Sequence, residues 1–509
     1  MIRAICRTGA LTLAAAPCML SGLLLASPHQ DESYAATSSA SACMTRAGSP
    51  GTSTGWGSYL TPFSATSPWN SRPVEPAFGS FVIPRSKYFP SVSAGKWSTS
   101  VFLSDSSDPP VTVVGAPGGK GVWDPDAEAF HDVEIPRWPP NVAPAAERDG
   151  HAEIVDPATG IVHSFWKLRY LNDRWTAAQY AWTCVDGRGW GDPAHYFQGA
   201  RAAGVSAAAG LIRKHEIADG APMYRHALAM SLTFNALSPS PTYVFPATSA
   251  DTNAATANSG QIPVGALLML PPSFDAREIE DPALRKIVET LKVYGAYVVD
   301  RNHGTPFAIY VEMDSGFSLH RGGWNKGVAR DLDKIRLALR QVVAVAGWVD
   351  GDGRPYTGTR NLNLLSMRGP WRVLAGSTQG TFDTWAQAVV FPSTSVRTEQ
   401  VNATSRGLSA VSWALLVAGE RYQLTAYATG GAKLRLQIRD KATNAIHVDT
   451  RALGDRETAI FVWPGTAGNV AVYAVSGVGT PSSVRGHLIR AEGTSGHELS
   501  TFHTRRSSR

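Results

Sequence analysis

Cysteine is scarce in this sequence, with only four in 509 residues. None of them belongs to a CxxC pair or to a Cys–His pattern with metal-ligand spacing, so the sequence predicts no zinc site. Cys6 and Cys18 fall within residues 1–35, which we interpret as an export signal, and this leaves Cys43 and Cys184. In an oxidising compartment these two can form a disulfide that attaches the N-terminal segment to the body of the protein.

A hydrophobic stretch long enough to span a bilayer is also missing. Residues 11–26 form an apolar run, but it is short for a membrane span and is interrupted by Pro17. Arg3 and Arg7 precede the run, and small residues around Ala35 suit a signal peptidase. We therefore predict a signal peptide over residues 1–35, a secreted protein (extracellular or periplasmic) and no membrane span after processing.

The sequence lacks a strong charge of either sign, since its formal net charge is +6 and the charges are spread along the chain. A basic cluster occurs at the end, at Arg505, Arg506 and Arg509, and we interpret it as a disordered end rather than a nucleic-acid-binding arm. A mildly basic exported protein suits an acidic polysaccharide better than nucleic acid. We expect a polysaccharide partner and no nucleic-acid partner.

Turn-forming and aromatic residues are abundant, with 48 Gly, 33 Pro and 15 Trp. Short apolar runs separated by turn residues recur along the chain, a pattern typical of β-strands. The clearest hairpin covers residues 151–170, around a turn at residues 156–160. Helices are predicted at the Ala-rich residues 201–215, after the N-cap Asp281, and at residues 328–343.

These patterns predict a mainly β protein built from more than one domain. Residues 36–60 are interpreted as a flexible leader, and residues 61–375 as a β-sandwich or jelly-roll catalytic core with a few peripheral helices. Alternating strands at regular spacing predict a separate C-terminal β-sandwich of the carbohydrate-binding type over residues 381–492. Residues 493–509 complete the chain as a disordered basic tail.

Residues 208–237 concentrate ionisable groups around a buried strand. Glu216 precedes a Gly-containing turn, and Arg225 and His226 follow it where the strand begins. An ionisable pair at such a position is costly unless it is hydrogen-bonded or used in function. We therefore predict catalytic roles for Glu216, Tyr224 and His226. Arg225 is predicted to bind substrate, and a structural ion pair is the alternative.

A second set of candidates lies at the ends of other predicted strands. Asp300 ends a buried strand, so it is a candidate catalytic carboxylate, with backbone capping as the alternative. Asn302 and His303 follow it in a turn and are predicted to bind substrate. Asp275 follows a predicted strand at residues 262–270 and is a further catalytic candidate.

Aromatic and acidic loops supply the remaining candidates. Trp182 and Trp190 belong to a ring-rich segment that we expect to border a substrate cleft, because sugars stack on indole rings. His151, at the start of the predicted hairpin, is predicted to bind substrate. Residues 124–134 hold several carboxylates, but acidic surface loops of this kind are common. We predict no metal site and no cofactor, with calcium as the alternative.

Four segments resemble a family of secreted, mostly uncharacterised bacterial proteins. They are DGHAEIVDPATG with the following aromatic strand (residues 149–166), AGLIRKHEIADG ahead of HAL (residues 209–228), LPPSFD (residues 270–275) and LKVYGAYVVDRN (residues 291–302). The resemblance covers roughly residues 60–320 and leaves out the C-terminal strands. It implies a β-sandwich or jelly-roll architecture and suspected action on polysaccharides, without a catalytic assignment.

Three functions remain after these exclusions. A polysaccharide lyase needs a base, an acid and a group that neutralises a uronate carboxylate, and the mildly basic charge favours this reaction. A glycoside hydrolase needs two carboxylates. The candidate carboxylates are Asp132, Glu216, Asp275, Asp300 and Glu312. A non-catalytic glycan-binding envelope protein is the alternative outside the enzymes.

Overall fold

Strands dominate the described part of the chain, as predicted. The computed structural model describes Cys43 and residues 55–192, 195–358, 363–402 and 416–491, which belong to one compact unit. The strands before residue 357 are β1 (Arg72–Val74), β2 (Ala77–Phe78), β3 (Ser91–Ser93), β4 (Val101–Leu103), β5 (Val111–Gly115), β6 (Val122–Asp124), β7 (Ala129–His131), β8 (Val133–Ile135), β9 (Ala152–Asp156), β10 (Ile161–Trp166), β11 (Arg169–Leu171), β12 (Arg174–Ala177), β13 (Gln179–Cys184), β14 (Leu228–Thr233), β15 (Leu267–Met269), β16 (Ala296–Asn302), β17 (Phe307–Tyr310), β18 (Arg340–Ala344), β19 (Gly347–Val349) and β20 (Pro355–Tyr356).

A mixed seven-stranded sheet, in the order β2-β18-β15-β16-β14-β17-β3, forms the centre of the molecule. Every residue of β14 is buried, and the first four residues of β16 are buried beside it. The last three residues of β16 are partly exposed. Because β16 emerges from the core in this way, its final side chains stand at the edge of the apolar interior.

A six-stranded sheet in the order β4-β9-β10-β13-β6-β7 is built around the predicted hairpin. β9 and β10 pair antiparallel, with Ala152 opposite Phe165, which confirms that prediction. A four-stranded sheet, β11-β12-β5-β8, and a three-stranded sheet, β1-β19-β20, accompany it. The predicted disulfide is present and joins Cys43 to Cys184 at the end of β13, with a Cα–Cα distance of 5.4 Å.

The C-terminal part contains two five-stranded antiparallel sheets that share one apolar core. Their orders are β21-β24-β29-β26-β27 and β22-β23-β30-β25-β28. The strands are β21 (Trp371–Ala375), β22 (Thr381–Asp383), β23 (Ala388–Phe391), β24 (Glu399–Asn402), β25 (Arg421–Thr429), β26 (Lys433–Asp440), β27 (Ile446–Asp449), β28 (Thr458–Val462), β29 (Ala467–Val475) and β30 (Ser482–Arg490). Burial alternates along β25 and β30, as expected for strands with one face on a core.

Three α-helices occur among the described residues: α1 (Ala254–Ala257), α2 (Pro282–Val293) and α3 (Lys326–Ala338). α2 begins as predicted, because the Asp281 side chain accepts hydrogen bonds from the N–H groups of residues 283 and 284. The helix predicted at residues 328–343 ends at Ala338, and the following residues form β18 instead.

The helix predicted at residues 201–215 is wrong, since this segment consists of turns apart from a short 3₁₀ turn at Lys214–Glu216. Gly204 and Gly210 have φ values of 71° and 65°, which an α-helix cannot contain. The alanines that suggested a helix are buried in the main core. Their small size allows the turns to pack closely.

Several predictions fall outside the described residues. These are the signal peptide at residues 1–35, most of the leader at residues 36–60, the tail at residues 493–509 and most of a strand expected at residues 411–417. Among the residues that are described, no helix is long and apolar enough to cross a membrane.

Candidate functional site

A cleft of about 590 Å³ opens beside the start of β14, and we call it the histidine cleft. Glu216, Arg225 and His226, which are candidates from the sequence, line it. Tyr224 is buried next to His226, with ring centroids 6.2 Å apart, and Lys286 Nζ lies 4.5 Å from the Tyr224 ring centroid. Burial raises the pKa of Tyr224.

His226 and Glu216 form an ion pair in this cleft. His226 Nε2 lies 3.2 Å from the Glu216 carboxylate, and Nδ1 lies 2.8 Å from the carbonyl oxygen of Ala227. Burial opposes the charge on His226, but Glu216 raises the pKa of the imidazole above its ordinary value. Burial likewise opposes the charge on Glu216, but His226 lowers the pKa of this carboxyl. An imidazolium that donates from both nitrogens has no lone pair with which to accept a proton.

The other buried charges of the histidine cleft are also engaged. Arg213 donates from Nε to Glu312 at 2.9 Å and from Nη1 to the carbonyl oxygen of Tyr59 at 2.9 Å. Asp352 accepts hydrogen bonds from the Trp56 indole at 2.9 Å and from Arg354 at 3.2 Å. These contacts satisfy the groups that could act as acid or base, so they favour the alternative of a structural ion-pair network.

A second cluster lies where the end of β16 meets the start of β9. We call it the junction site and define it by His151, Arg201, Asp300 and Tyr310. The Arg201 guanidinium donates from Nη1 to Asp300 at 3.2 Å and stands 4.1 Å from the ring centroid of Tyr310. Its side chain is 1% exposed, whereas that of Asp300 is 21% exposed. The cluster therefore places a buried cation behind a carboxylate that solvent can reach.

Arg201 has unused hydrogen-bonding capacity. Its Nε and Nη2 atoms are buried and have no hydrogen-bond partner among the described residues. A buried donor without a partner costs about 1–3 kcal/mol, and more when it is charged. An anionic or strongly polar ligand that accepted from these two groups would remove this cost.

The carboxyl of the junction site, Asp300, and the neighbouring Asp251 are less acidic than usual. Burial raises the pKa of Asp300 to about 6, although the charge of Arg201 opposes the shift and the charge of Asp251 adds to it. Burial also raises the pKa of Asp251, against the charge of Arg301, whose Nη2 lies 3.4 Å from that carboxylate. Asp300 therefore changes protonation close to neutral pH.

His151 is buried and neutral. Burial, reinforced by the charge of Arg201, lowers the pKa of His151 to about 3. Its Nδ1 lies 3.2 Å from the carbonyl oxygen of Phe165, which can only accept, so Nδ1 carries the proton. Nε2 therefore carries the lone pair of the ring.

A hydrogen-bonded chain holds Tyr310. Asn302 Nδ2 donates to Ser231 Oγ at 3.1 Å, and the Ser231 hydroxyl bonds to Tyr310. Burial raises the pKa of Tyr310 to about 12, and the charge of Asp300 adds to the shift. A β-bulge between Met230 and Ser231 brings Ser231 opposite Asp300, which keeps these groups on one side of the sheet.

Glu153 anchors the loop that carries Arg201. Its carboxyl accepts hydrogen bonds from Ser164 at 2.8 Å, from Ser206 at 2.5 Å and from the N–H of Ala207 at 3.0 Å. Burial nevertheless raises the pKa of Glu153 to about 7. The contacts tie the loop between β13 and β14 to β9, and this fixes Arg201 beside His151.

The remaining candidates lie elsewhere. Asp275 is at the surface, where Arg277 bonds it at 2.8 Å and lowers its pKa to about 2. Trp190 is fully buried, stacks on Trp69 and donates its indole N–H to a backbone carbonyl, so it is a core residue with no face for a sugar. Trp182 lies in β13, and His303 is exposed in the turn after β16.

The residues chosen from the sequence thus do not share one cleft. The histidine cleft contains Glu216, Arg225 and His226. The junction site contains His151 and Asp300, and Asn302 is linked to it through Ser231. Sequence reasoning missed Arg201 and Tyr310, which are essential to the second group. Arg201 belongs to the segment that was predicted to be a helix, and Tyr310 was not among the candidates because it lies within an apolar stretch typical of a buried strand.

The acidic segment predicted as the alternative calcium site is engaged with protein groups. Asp124 accepts from the N–H groups of residues 126 and 127 and lies 3.0 Å from His131, and Asp126 lies 2.8 Å from His195. Within the described ranges, no three His, Cys, Asp or Glu side chains are grouped as they would be around a metal ion.

No protein-family model and no curated protein sequence matches the chain. Among the solved structures that match in part, the Gap123 glycosylation-associated protein complex of Streptococcus agalactiae has 14% identity and a TM-score of 0.18 over 26% of this chain and 48% of that chain. The chain therefore spans about half the length of this match.

Carbohydrate-active and carbohydrate-binding proteins occur among the partial matches. Xylanase 10B of Clostridium thermocellum, in complex with xylohexaose, has 13% identity and a TM-score of 0.17 over 27% of this chain and 28% of that chain. TmCBM61, in complex with β-1,4-galactotriose, has 18% identity and a TM-score of 0.16 over 24% of this chain and 89% of that chain. Similarities at these scores carry no argument about function, and the family resemblance of the sequence stays an expectation.

Proposed function

We propose that the protein is a secreted enzyme that cleaves an acidic polysaccharide by β-elimination at the junction site. The observation that carries the proposal is the buried Arg201 guanidinium, which has two unpaired donors beside a neutral His151. A uronate carboxylate is an anion that a guanidinium recognises with two parallel hydrogen bonds. Neutralisation of that carboxylate is what makes the adjacent C5 proton acidic enough to remove.

The residues of the junction site fit the steps of this reaction. Arg201 binds the carboxylate at C6, and the substrate charge then offsets the Arg201 charge that helps to lower the pKa of His151. His151 Nε2 takes the proton from C5 in this bound state. The electron pair of the broken C–H bond forms the C4–C5 double bond as the C4–O bond breaks. Tyr310, whose high pKa keeps it protonated, donates its proton to the departing oxygen. The proton then held by His151 passes to solvent, and Tyr310 is reprotonated from solvent, so no net proton is gained or lost.

Asp300 adds a pH dependence to the proposal. When ionised, it competes with a substrate carboxylate for Arg201, to which it is bonded at 3.2 Å. Because its pKa is raised to about 6, protonation below that pH releases the guanidinium. We therefore expect KM for an acidic substrate to fall as the pH is lowered through about 6, and Asp300→Asn to remove this dependence.

Secretion is part of the proposal. It is supported by the apolar N-terminal segment with its preceding arginines and by the disulfide between Cys43 and Cys184, since disulfides persist in oxidising compartments. The C-terminal sheets are proposed to bind glycan and to hold the enzyme on its polymer.

The first experiment exposes the purified protein to polygalacturonate, alginate, hyaluronate and neutral galactan. Ultraviolet absorbance of unsaturated uronates and the concentration of reducing ends are followed in parallel. An increase of both signals on an acidic polymer is the expected result. No cleavage of any of these acidic polymers, together with retained binding, would contradict the enzymatic proposal and favour a glycan-binding protein.

A glycoside hydrolase is the second candidate. It is favoured by the raised pKa of Asp300, a property of the general acid in such enzymes, and by the nearby Asp251 carboxylate. In the same experiment this reaction would release reducing ends without an increase in absorbance. Asp251→Asn would then abolish cleavage, whereas a lyase that uses His151 would retain most of its rate.

A further inference from the structure

A groove of about 390 Å³ lies between the six-stranded sheet and the C-terminal sheets. Trp182 of β13 and Trp385, in the turn between β22 and β23, stack there with ring centroids 4.2 Å apart. Tyr427 of β25 and Arg485 of β30 form the opposite side, with the guanidinium 5.1 Å from the tyrosine ring centroid. We call this place the tryptophan groove and define it by these four residues.

The tryptophan groove has polar groups that are not used by the fold. The Trp182 indole N–H is buried and has no hydrogen-bond partner among the described residues. The Arg485 guanidinium contacts the ring of Tyr427. Thr429 and Ser483, whose hydroxyls lie 2.8 Å apart, also line the groove. The groove therefore combines aromatic rings with a cation, with hydroxyl groups and with the carboxylate of Asp455.

We propose that the tryptophan groove binds a uronate-containing segment of the same polysaccharide, outside the catalytic site. Trp385 and Tyr427 are partly exposed and provide ring surfaces for stacking, and Arg485 attracts the carboxylate. The volume lies within the range of about 300–1,000 Å³ that is usual for ligand sites. The identity of the polymer rests on the proposed function, but binding in this groove does not require cleavage.

The position of the tryptophan groove suits it to hold a long polymer at a point away from the junction site. The groove is formed jointly by β13 of the six-stranded sheet and by the C-terminal sheets. A polymer held there is tethered to the enzyme at a second point, and tethering raises the effective concentration of the chain at the catalytic site. The groove is therefore expected to affect long polymers and not short oligosaccharides.

The test uses the full chain carrying His151→Gln, so that bound polymer is not cleaved. Its retention is measured by affinity electrophoresis in gels that contain polygalacturonate, alginate or hyaluronate. Trp385→Ala and Arg485→Gln are each expected to weaken retention about tenfold on the acidic polymer that binds. Trp385→Phe keeps an aromatic ring and is expected to retain most of the binding. Trp324→Ala, which removes a 58% exposed indole elsewhere, is the matched control.

Equal retention of Trp385→Ala, Arg485→Gln and Trp324→Ala would overturn the proposal, as would a protein that none of these polymers retains. Thermal unfolding of each variant identifies a loss of folding. If Trp385→Ala is unstable, Arg485→Gln still tests the groove, because it keeps the stacked tryptophans. In the cleavage assay, both groove variants without His151→Gln should turn over short oligosaccharides at the wild-type rate. If no polymer is cleaved but retention still depends on Trp385 and Arg485, the lyase proposal is rejected and the proposal of binding in the groove stands.

Discussion

At the scale of single residues, burial determines which ionisable groups can react. His151 and His226 are both histidines near the core, yet the structure gives them opposite states. Desolvation, reinforced by the charge of Arg201, lowers the pKa of His151, whereas Glu216 raises the pKa of His226 against desolvation. The sequence identified both positions, but it contains no information on the partner that sets each pKa. That partner depends on tertiary contacts.

Glu153→Gln tests the state of the buried carboxyl that anchors the Arg201 loop. The pKa of Glu153 is raised from 4.5 to about 7, so the folded protein holds this proton to higher pH than the unfolded chain. The associated stability is fully present below about pH 4.5 and is lost as the pH rises through about 7. Between about pH 5 and pH 8, wild type should lose roughly 3 kcal/mol more unfolding free energy than Glu153→Gln. Urea titrations at several pH values measure this, and parallel pH profiles for the two proteins would contradict it.

His226→Gln tests the ion pair of the histidine cleft. Because the pKa of His226 is raised, the stability from its charge is fully present below about pH 6.5 and is lost as the pH rises through the folded-state pKa. The substitution should therefore cost about 1–3 kcal/mol at pH 6 and less at pH 9. His320→Gln is the matched control and should cost little, because His320 is only half-buried and stacks on the exposed Trp324. A loss that does not depend on pH would show that the charge of His226 is unimportant.

At the scale of elements, local sequence signals were sufficient to predict a helix or a hairpin where residues at its boundary define where it begins or turns. Asp281 and the proline after it mark the start of α2, and the turn after Asp156 marks the hairpin of β9 and β10. The helix prediction for residues 201–215 failed because alanine content favours a helix when no tertiary contact is considered. Its two positive-φ glycines and its packing against the core decide its structure instead.

Gly210→Ala tests the packing of that segment. A Cβ at Gly210 would lie 2.4 Å from the Trp69 ring, in a backbone conformation with φ of 65°. The strain of the left-handed conformation and the overpacking together should cost about 2–5 kcal/mol. Gly316→Ala has a similar φ of 70° with no atom within 4 Å, and it should cost only about 1–2 kcal/mol. Equal destabilisation in thermal unfolding would contradict the close contact with Trp69.

At the scale of the whole molecule, strand-rich composition and alternation were sufficient to predict a mainly β protein, including most strands of the C-terminal sheets. The site was predicted only in part, because it is assembled from distant segments. Asp300 and His151 were identified, but nothing in the sequence brings β16 to β9. Arg201 makes that connection, and it belongs to a loop whose course is fixed by Glu153 and the core.

The disulfide also connects distant segments of the molecule. It joins Cys43 to Cys184 across a sequence separation of 141 residues. A cross-link that closes a loop of this size restricts the unfolded chain and is expected to contribute about 4–5 kcal/mol. Cys43→Ser should lower the free energy of unfolding by this amount in oxidising buffer. Reducing agent should destabilise wild type and leave Cys43→Ser unchanged; equal sensitivity of both proteins would contradict the prediction.

We propose that chemistry occurs at the junction site and not in the histidine cleft. The most direct measurement compares kcat/KM for elimination on an acidic polysaccharide among wild type, His151→Gln and His226→Gln, at a temperature where all three are folded. Loss of a catalytic base typically costs about 10²–10⁴-fold in rate, and we predict such a loss for His151→Gln. His226→Gln should remain within about threefold of wild type, because both ring nitrogens of His226 are engaged, with Glu216 and with the carbonyl oxygen of Ala227. Retained activity in His151→Gln, with activity lost in His226→Gln, would contradict the account.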